Sequence, residues 1–363
     1  FMISICESTS LPSPQTYQSP GGFIWWYLDI RDPHGNGIVL IWAFGLPFLP
    51  NYASQARQGN GPKPIERPSL NLSVYKQGKL DFYLLQEYDP TDCDSTEHHW
   101  RFKESLILFE QVSGCGQLKI ELNCPIPNSS ETLTGHIQFD GPLRKGTFGR
   151  SDPTHQWTPI MVAAEGSVHL KCGKSTYEFS GRGYHDRNAG THPLHELDID
   201  TWWWGRLAFE ESELIFYALF PKKQDSPLFL ALEVDQEGNT HKLQQPTIRF
   251  TEHRRSLYGM RWSQHLEISL TENDTGTIHI DLNHKIEDGP FYQRFMCEAR
   301  CDTHGTAYGY VEQILPDKVD LDWMRPLVKM RVHQLGKDNS MWLPLFTGPR
   351  RERLKRLFQG SRE

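Results

Sequence analysis

Apolar residues recur at every second position along most of this chain, and nowhere for long at the three-to-four spacing of an amphipathic helix. Successive side chains of a strand point to opposite faces, so this alternation predicts half-buried strands. It predicts them over 23–30, 38–44, 70–75, 80–85, 99–109, 118–122 and 136–139, with a second series over 177–180, 214–220, 228–234, 247–252, 260–270 and 277–282. Turn residues separate the runs: Asp32-Pro33-His34-Gly35-Asn36-Gly37, Gln77-Gly78, Asp140-Gly141-Pro142, Gln236-Glu237-Gly238-Asn239 and Asn273-Asp274-Thr275-Gly276. Short strands at such intervals predict an all-β fold of antiparallel barrels or sandwiches. A chain of 363 residues is long for one core, so two domains are expected. The stretch 182–201 is rich in Gly, His and Asp and loses the alternation, which places the join there and gives domains 1–195 and 196–363. Residues 53–68 read as a polar loop able to cover a pocket, and 316–331 and 350–358 carry helical spacing.

The charge balance narrows the partners. A net charge of -7 with 23% charged residues predicts a soluble protein with no nucleic-acid surface. Seven scattered cysteines, Cys6, Cys93, Cys115, Cys124, Cys172, Cys297 and Cys301, form no C-x-x-C pair, so a zinc ribbon or dense disulfide framework is not expected. A reducing, cytoplasmic location fits them best. No run approaches the roughly 18 apolar residues of a membrane span, and the opening Phe1-Met2-Ile3-Ser4-Ile5-Cys6 lacks a signal peptide's basic and apolar regions. The tail Arg350–Phe358 is basic with a small apolar face. It reads first as a solvated terminal helix and, alternatively, as a peripheral contact with an anionic membrane surface.

The segment Ser180-Gly181-Arg182-Gly183-Tyr184-His185-Asp186-Arg187-Asn188-Ala189-Gly190 carries most of the chemistry. On its own, Asp186 in a Gly-rich bend reads first as a turn cap. Beside apolar rings, however, a carboxyl tends to keep its proton and can act as an acid near neutrality. Tyr184 stands two residues away and would share its face in extended backbone. His155 and Trp157 repeat that i, i+2 relation, so two such segments lining one cavity would supply a base, an indole, a phenol and an acid. Aromatic faces attract a cation by about 0.5–2 kcal/mol each. Eleven Trp, among them Trp202, Trp203 and Trp204, suit an extended apolar cavity, and Trp25-Trp26-Tyr27 would alternate between core and opposite face. No P-loop, dinucleotide fingerprint or G-x-S-x-G elbow is present. His98, His99, His185, His192 and His195 are candidate ligands, yet without H-E-x-x-H spacing no metal is expected.

Several stretches together resemble carotenoid 1,2-hydratase, also called hydroxyneurosporene synthase, and its lipocalin-like relatives. Gly21-Gly22-Phe23-Ile24-Trp25-Trp26-Tyr27-Leu28-Asp29 is similar to the family's opening strand. Gly183-Tyr184-His185-Asp186-Arg187-Asn188-Ala189-Gly190-Thr191-His192-Pro193 and Trp202-Trp203-Trp204-Gly205-Arg206 resemble its central signature. Pro290-Phe291-Tyr292-Gln293-Arg294 and Gly309-Tyr310-Val311-Glu312 resemble later ones. The resemblance implies two lipocalin-like β domains, an active site near their junction, no cofactor and a hydrophobic isoprenoid or polyene substrate. It implies Asp186 as the acid that protonates a carbon–carbon double bond, with Tyr184, His155 and Trp157 around it. Trp25, Trp202, Trp204, His185, Asn188, Arg206 and Tyr292 would bind substrate. His185 departs from the aromatic often found there, and an imidazolium beside the carboxyl would weaken it as an acid. Acid-catalysed hydration leads. A cyclase of a polyene precursor, working by cation or pericyclic chemistry, and a non-catalytic carrier of a hydrophobic ligand stay open, because one fold hosts several functions.

Overall fold

The structure is a computed structural model that describes residues 3–5, 18–96, 98–146, 154–223, 227–270, 276–337 and 339–359. Phe1, Met2, Cys6 and the turn residues Asn273, Asp274 and Thr275 lie outside them. The fold is all-β. The first sheet takes β1 (Ile3–Ile5), β2 (Phe23–Arg31), β3 (Gly37–Phe44), β4 (Pro68–Lys76), β5 (Lys79–Glu87), β6 (Cys93–Ser95), β7 (His99–Phe102), β8 (Ser105–Val112), β9 (Cys115–Pro125), β10 (Thr132–Pro142), β11 (His155–Cys172) and β12 (Ser175–Gly190). The second takes β13 (Thr201–Ala208), β14 (Ser212–Phe220), β15 (Leu228–Asp235), β16 (Thr240–Lys242), β17 (Thr247–Arg255), β18 (Arg261–Ser269), β19 (Thr277–Asp281), β20 (Lys285–Asp288), β21 (Tyr292–Cys301) and β22 (Gly305–Ile314). Two short strands, β23 (Val332–Gln334) and β24 (Gly348–Pro349), then return to β5 of the first sheet.

Most neighbours in the first sheet are sequential hairpins, but β12 pairs with β2. That long-range pairing sets the Trp-Trp-Tyr strand directly beside the Tyr-x-Asp strand. Alternate residues of β2, Ile24, Trp26, Leu28 and Ile30, enter a core with Trp42, Trp100, Phe102 and Phe139. The second sheet encloses its own core around Trp203, Leu207, Phe216, Phe295 and Val311.

The run 99–109 is two strands, because Lys103 turns the chain at φ 52 and Phe102 pairs with Ser105. The larger correction concerns the expected bend at 182–190, which is the end of the sixteen-residue strand β12. Its glycines serve close approach. A Cβ on Gly181 would lie 2.2 Å from the Arg31 carbonyl oxygen, and one on Gly183 would lie 2.7 Å from the Phe139 ring.

The compact units do not follow one cut at residues 195 and 196. The first comprises the described residues of 3–143, 154–193 and 320–359, and the second comprises Arg144–Gly146 and the described residues of 194–319. Pairing of β23 and β24 with β5 draws the last segment back. There Arg356 is buried and donates to the carbonyls of Thr347 and Pro349, so the helix Arg353–Gln359 is anchored by one of its own cations. The predicted loop at 53–68 overlaps a short helix, Tyr52–Arg57, with Tyr52, Ala53 and Ser54 buried. It borders a polar cleft of about 280 Å³ shared with Glu87, Lys329 and Gln334. Within 316–331 the α-helix covers only Arg325–Lys329. Among the described residues no helix is long and apolar enough to cross a membrane.

Candidate active site

Three adjacent strands, β2, β12 and β11, build the site. Asp186 pairs with Tyr27 on one side and Pro159 on the other, while Asn188 pairs with Trp25 and Trp157. Paired residues share a face, so Trp25, Tyr27, Trp157, Tyr184, Asp186 and Asn188 stand together on the face opposite the core. All six are buried. Extended backbone at 184–188 thus gives the i, i+2 relation its expected consequence.

Every oxygen of the Asp186 carboxyl is engaged, and the side chain is only 2% exposed. Oδ2 accepts from the Trp157 indole N–H at 2.7 Å and from the Tyr184 hydroxyl at 2.8 Å. Oδ1 accepts from the Asn188 amide at 3.2 Å. Two donors occupy Oδ2, so a proton on this carboxyl belongs on Oδ1.

Asn188 links the acid to His155. Its amide nitrogen faces Asp186, and its oxygen lies 3.1 Å from His155 Nε2. An amide oxygen only accepts, so the imidazole carries its proton on Nε2. Burial holds His155 down to about 4, against the opposing pull of the Asn188 bond, and it is neutral near pH 7. Phe23 meets its ring edge-on at 5.3 Å and stacks on Trp25 at 4.8 Å. Tyr27 packs against Tyr184 at 6.1 Å. Phe23 and Tyr27 were not singled out from the sequence, although alternation along Trp25-Trp26-Tyr27 places Tyr27 with Trp25.

His185 is not beside the acid. It occupies the other face of β12, with its ring 5.6 Å from Trp26 and 6.3 Å from Phe109. Its Nδ1–H donates to the Tyr27 carbonyl at 3.0 Å. Burial first, and the charge of Arg187 second, hold it down to about 3, so no imidazolium faces Asp186 at neutral pH. Arg187, 1% exposed, is a buried cation that the sequence reading passed over.

Trp202, Trp204, Arg206 and Tyr292 belong to the second unit. Trp202 packs on Tyr217 at 5.3 Å, and Arg206 forms a fully buried ion pair with Glu213. Tyr292 lies under the Arg294 guanidinium at 5.3 Å, and Arg294 pairs with both Glu287 and Glu312. Among the described residues no three His, Cys, Asp or Glu side chains converge to hold a metal ion. His99 instead bonds Asp94 and Thr96.

The two curled sheets and their short helices define a lipocalin-like class of β protein. The fold is shared with a putative AttH from Nitrosomonas europaea, with a TM-score of 0.59 and 14% identity over 86% of this chain and 99% of that one. It is shared also with CghA, with a TM-score of 0.54 and 13% identity over 86% and 94%. Sequence narrows the class: residues 40–339 match the model of carotenoid hydratase CrtC, and the chain belongs to that family. It is therefore an enzyme of the hydratase, or hydro-lyase, class. A hydroxyneurosporene dehydrogenase of Chlorobaculum tepidum is 25% identical over 90% of this chain and 91% of its own length. An acyclic carotenoid 1,2-hydratase of Thiocapsa roseopersicina is 24% identical over 78% and 66%.

Proposed function

We propose that this enzyme adds water across a carbon–carbon double bond of an acyclic, carotenoid-like isoprenoid, with Asp186 as the proton donor. The observation that supports it most is the buried Asp186 carboxyl with donors from Trp157, Tyr184 and Asn188. Oδ1–H delivers its proton to the less substituted alkene carbon, leaving a tertiary cation on the substrate and a carboxylate on Asp186. Negative charge develops on the carboxyl only as the proton leaves. Three hydrogen bonds already aimed at it therefore favour the transition state over the ground state. Buried indole and phenol faces at Trp25, Tyr27 and Trp157 suit the developing cation. Water then adds to the cation, and the carboxylate recovers the proton that this water loses. His155, neutral and donating through Nε2–H, keeps the Asn188 amide turned toward Asp186 and is a positioning residue.

Incubation with neurosporene or lycopene in oxygen-18 water, followed by mass spectrometry, tests the reading. A labelled tertiary alcohol is expected. Asp186→Asn should slow its formation more than about a hundredfold, the lower range for loss of a general acid. Near-normal turnover in that variant would remove Asp186 as the donor. An unlabelled, isomeric ring product would replace hydration by cyclisation.

A further inference from the structure

The hairpin joining β21 to β22 gathers a thiol, an imidazole and a carboxylate. Cys301 ends β21, Gly305 begins β22, and Asp302, Thr303 and His304 lie between them. The Cys301 sulfur is 3.5 Å from His304 Nδ1 and 3.2 Å from the Thr303 hydroxyl. On the far side of the ring, Nε2 lies 3.2 Å from Glu233 Oε1 on β15, and the Ser212 hydroxyl donates to that oxygen at 2.9 Å. A carboxylate can only accept, so it claims Nε2–H and leaves Nδ1 as an acceptor, which faces the Thr303 hydroxyl at 2.8 Å and the thiol at 3.5 Å. Nucleophile, base and orienting carboxylate stand in the order that activates a cysteine.

Burial pushes Cys93 and Cys172 up to about 12, and Cys124 upward as well. Burial pulls Cys301 the same way, but hydrogen bonds from Thr303 and His304 outweigh it and hold this thiol below its ordinary value. His304 answers in kind: burial would lower it, yet Cys301 and Glu233 hold it above the ordinary imidazole value. Cys301 is 5% exposed, whereas the side chains of His304 and Glu233 are 27% and 30% exposed. His304 and Glu233 are thus more open to solvent than the thiol they flank.

We infer that Cys301 is a reactive thiolate site, activated by His304 and Glu233 and oxidised by hydrogen peroxide to a sulfenic acid. The thiolate attacks one peroxide oxygen, forming S–O as O–O breaks. The sulfur is oxidised by two electrons, and the departing hydroxide takes the proton from the His304 imidazolium to leave as water.

Alkylation of the folded full-length chain by iodoacetamide, read peptide by peptide across pH, tests this. Cys301 should reach half its limiting rate at a lower pH than in the urea-unfolded chain. Near pH 7, His304→Gln should slow it about tenfold, the change that loss of one pKa unit of thiolate stabilisation makes. Thr303→Val, at an exposed hydroxyl, provides a second variant that leaves the strands intact, and it should slow the reaction in the same direction. Peroxide followed by dimedone should label Cys301 in the parent chain and much less in His304→Gln. A folded-state midpoint at or above that of the unfolded chain would overturn the inference, as would a Cys301 that neither reagent labels before unfolding.

Discussion

Acidification from about pH 7 to about pH 5 should cost the first unit about 4 kcal/mol through two imidazoles that the fold keeps neutral. Burial is the main cause at both. It holds His155 down to about 4 and His185, with help from Arg187, down to about 3. In the unfolded chain each returns to about 6.5. Between the folded and unfolded values the unfolded chain binds a proton that the folded chain refuses. Stability therefore rises with pH across this window and is lost as pH falls below about 6.5. Each pH unit is worth about 1.4 kcal/mol per group, so about 1.5 units gives roughly 2 kcal/mol for each histidine. His333, held down to about 4 by burial, adds to the loss with the same sign. Against a typical total of about 5–15 kcal/mol, such a loss is large. Urea unfolding read by hydrogen exchange in peptides of β2 and β12 reports the first unit alone. The window stops near pH 5 because ordinary carboxylates begin to titrate below it. His185→Phe lowers stability at every pH by removing the bond to Tyr27, but its loss between the two pH values should shrink by about 2 kcal/mol. Asp186, which the proposed mechanism keeps protonated, acts with the opposite sign and offsets part of the parent's loss, so the variant decides: an unchanged pH slope in His185→Phe would refute the claim that this ring is excluded from protonation.

Tyr184→Phe removes one of two donors from Asp186 Oδ2. A hydrogen bond to a charged group is worth about 1.5–3 kcal/mol, so single-turnover hydration should slow by about 10- to 150-fold with substrate affinity little changed. Gly183→Ala drives a methyl to 2.7 Å from the Phe139 ring and should destabilise the chain by about 1–3 kcal/mol in urea melts. Phe139→Leu in the same chain should restore part of that loss, whereas a cost due to backbone conformation would persist.

Alternation was legible wherever a strand keeps one face wet. In β9, Gly116, Leu118, Ile120, Leu122 and Cys124 are buried while their neighbours are open to solvent, and the pattern is plain in the sequence. It fails where both faces are buried. Residues 157–164 of β11 and 183–190 of β12 are buried without a break, so polar and apolar residues no longer sort by parity. The strand that carries Asp186 accordingly read as a Gly-rich bend. The return of β23 to β5 was illegible for another reason. Val332 pairs with Leu85 from about two thirds of the chain away, and a three-residue strand has no periodicity of its own.

The acid's surroundings were half legible for a related reason. Parity placed Tyr184 with Asp186 and His155 with Trp157, but which pair meets which depends on register. From the hairpin at Cys172 and Ser175, the two strands run in step as far as Ala164 opposite Gly183. From there Ala164 back to Pro159 spans five positions, whereas Gly183 to Asp186 spans three. Two extra residues have entered β11 as bulges. Without them the same count would put Trp157 opposite Gly190 instead of Asn188. Trp157 would then sit four residues along β12 from Asp186, about 13 Å by strand geometry, too far for its indole N–H to reach the carboxyl. His155 would move with it and lose Asn188. The bulges are therefore what turn two separate i, i+2 pairs into one hydrogen-bonded group. Nothing in the stretch Pro159-Ile160-Met161-Val162-Ala163-Ala164 announces them, because a bulge between two buried strands is set by what packs on both sides of it.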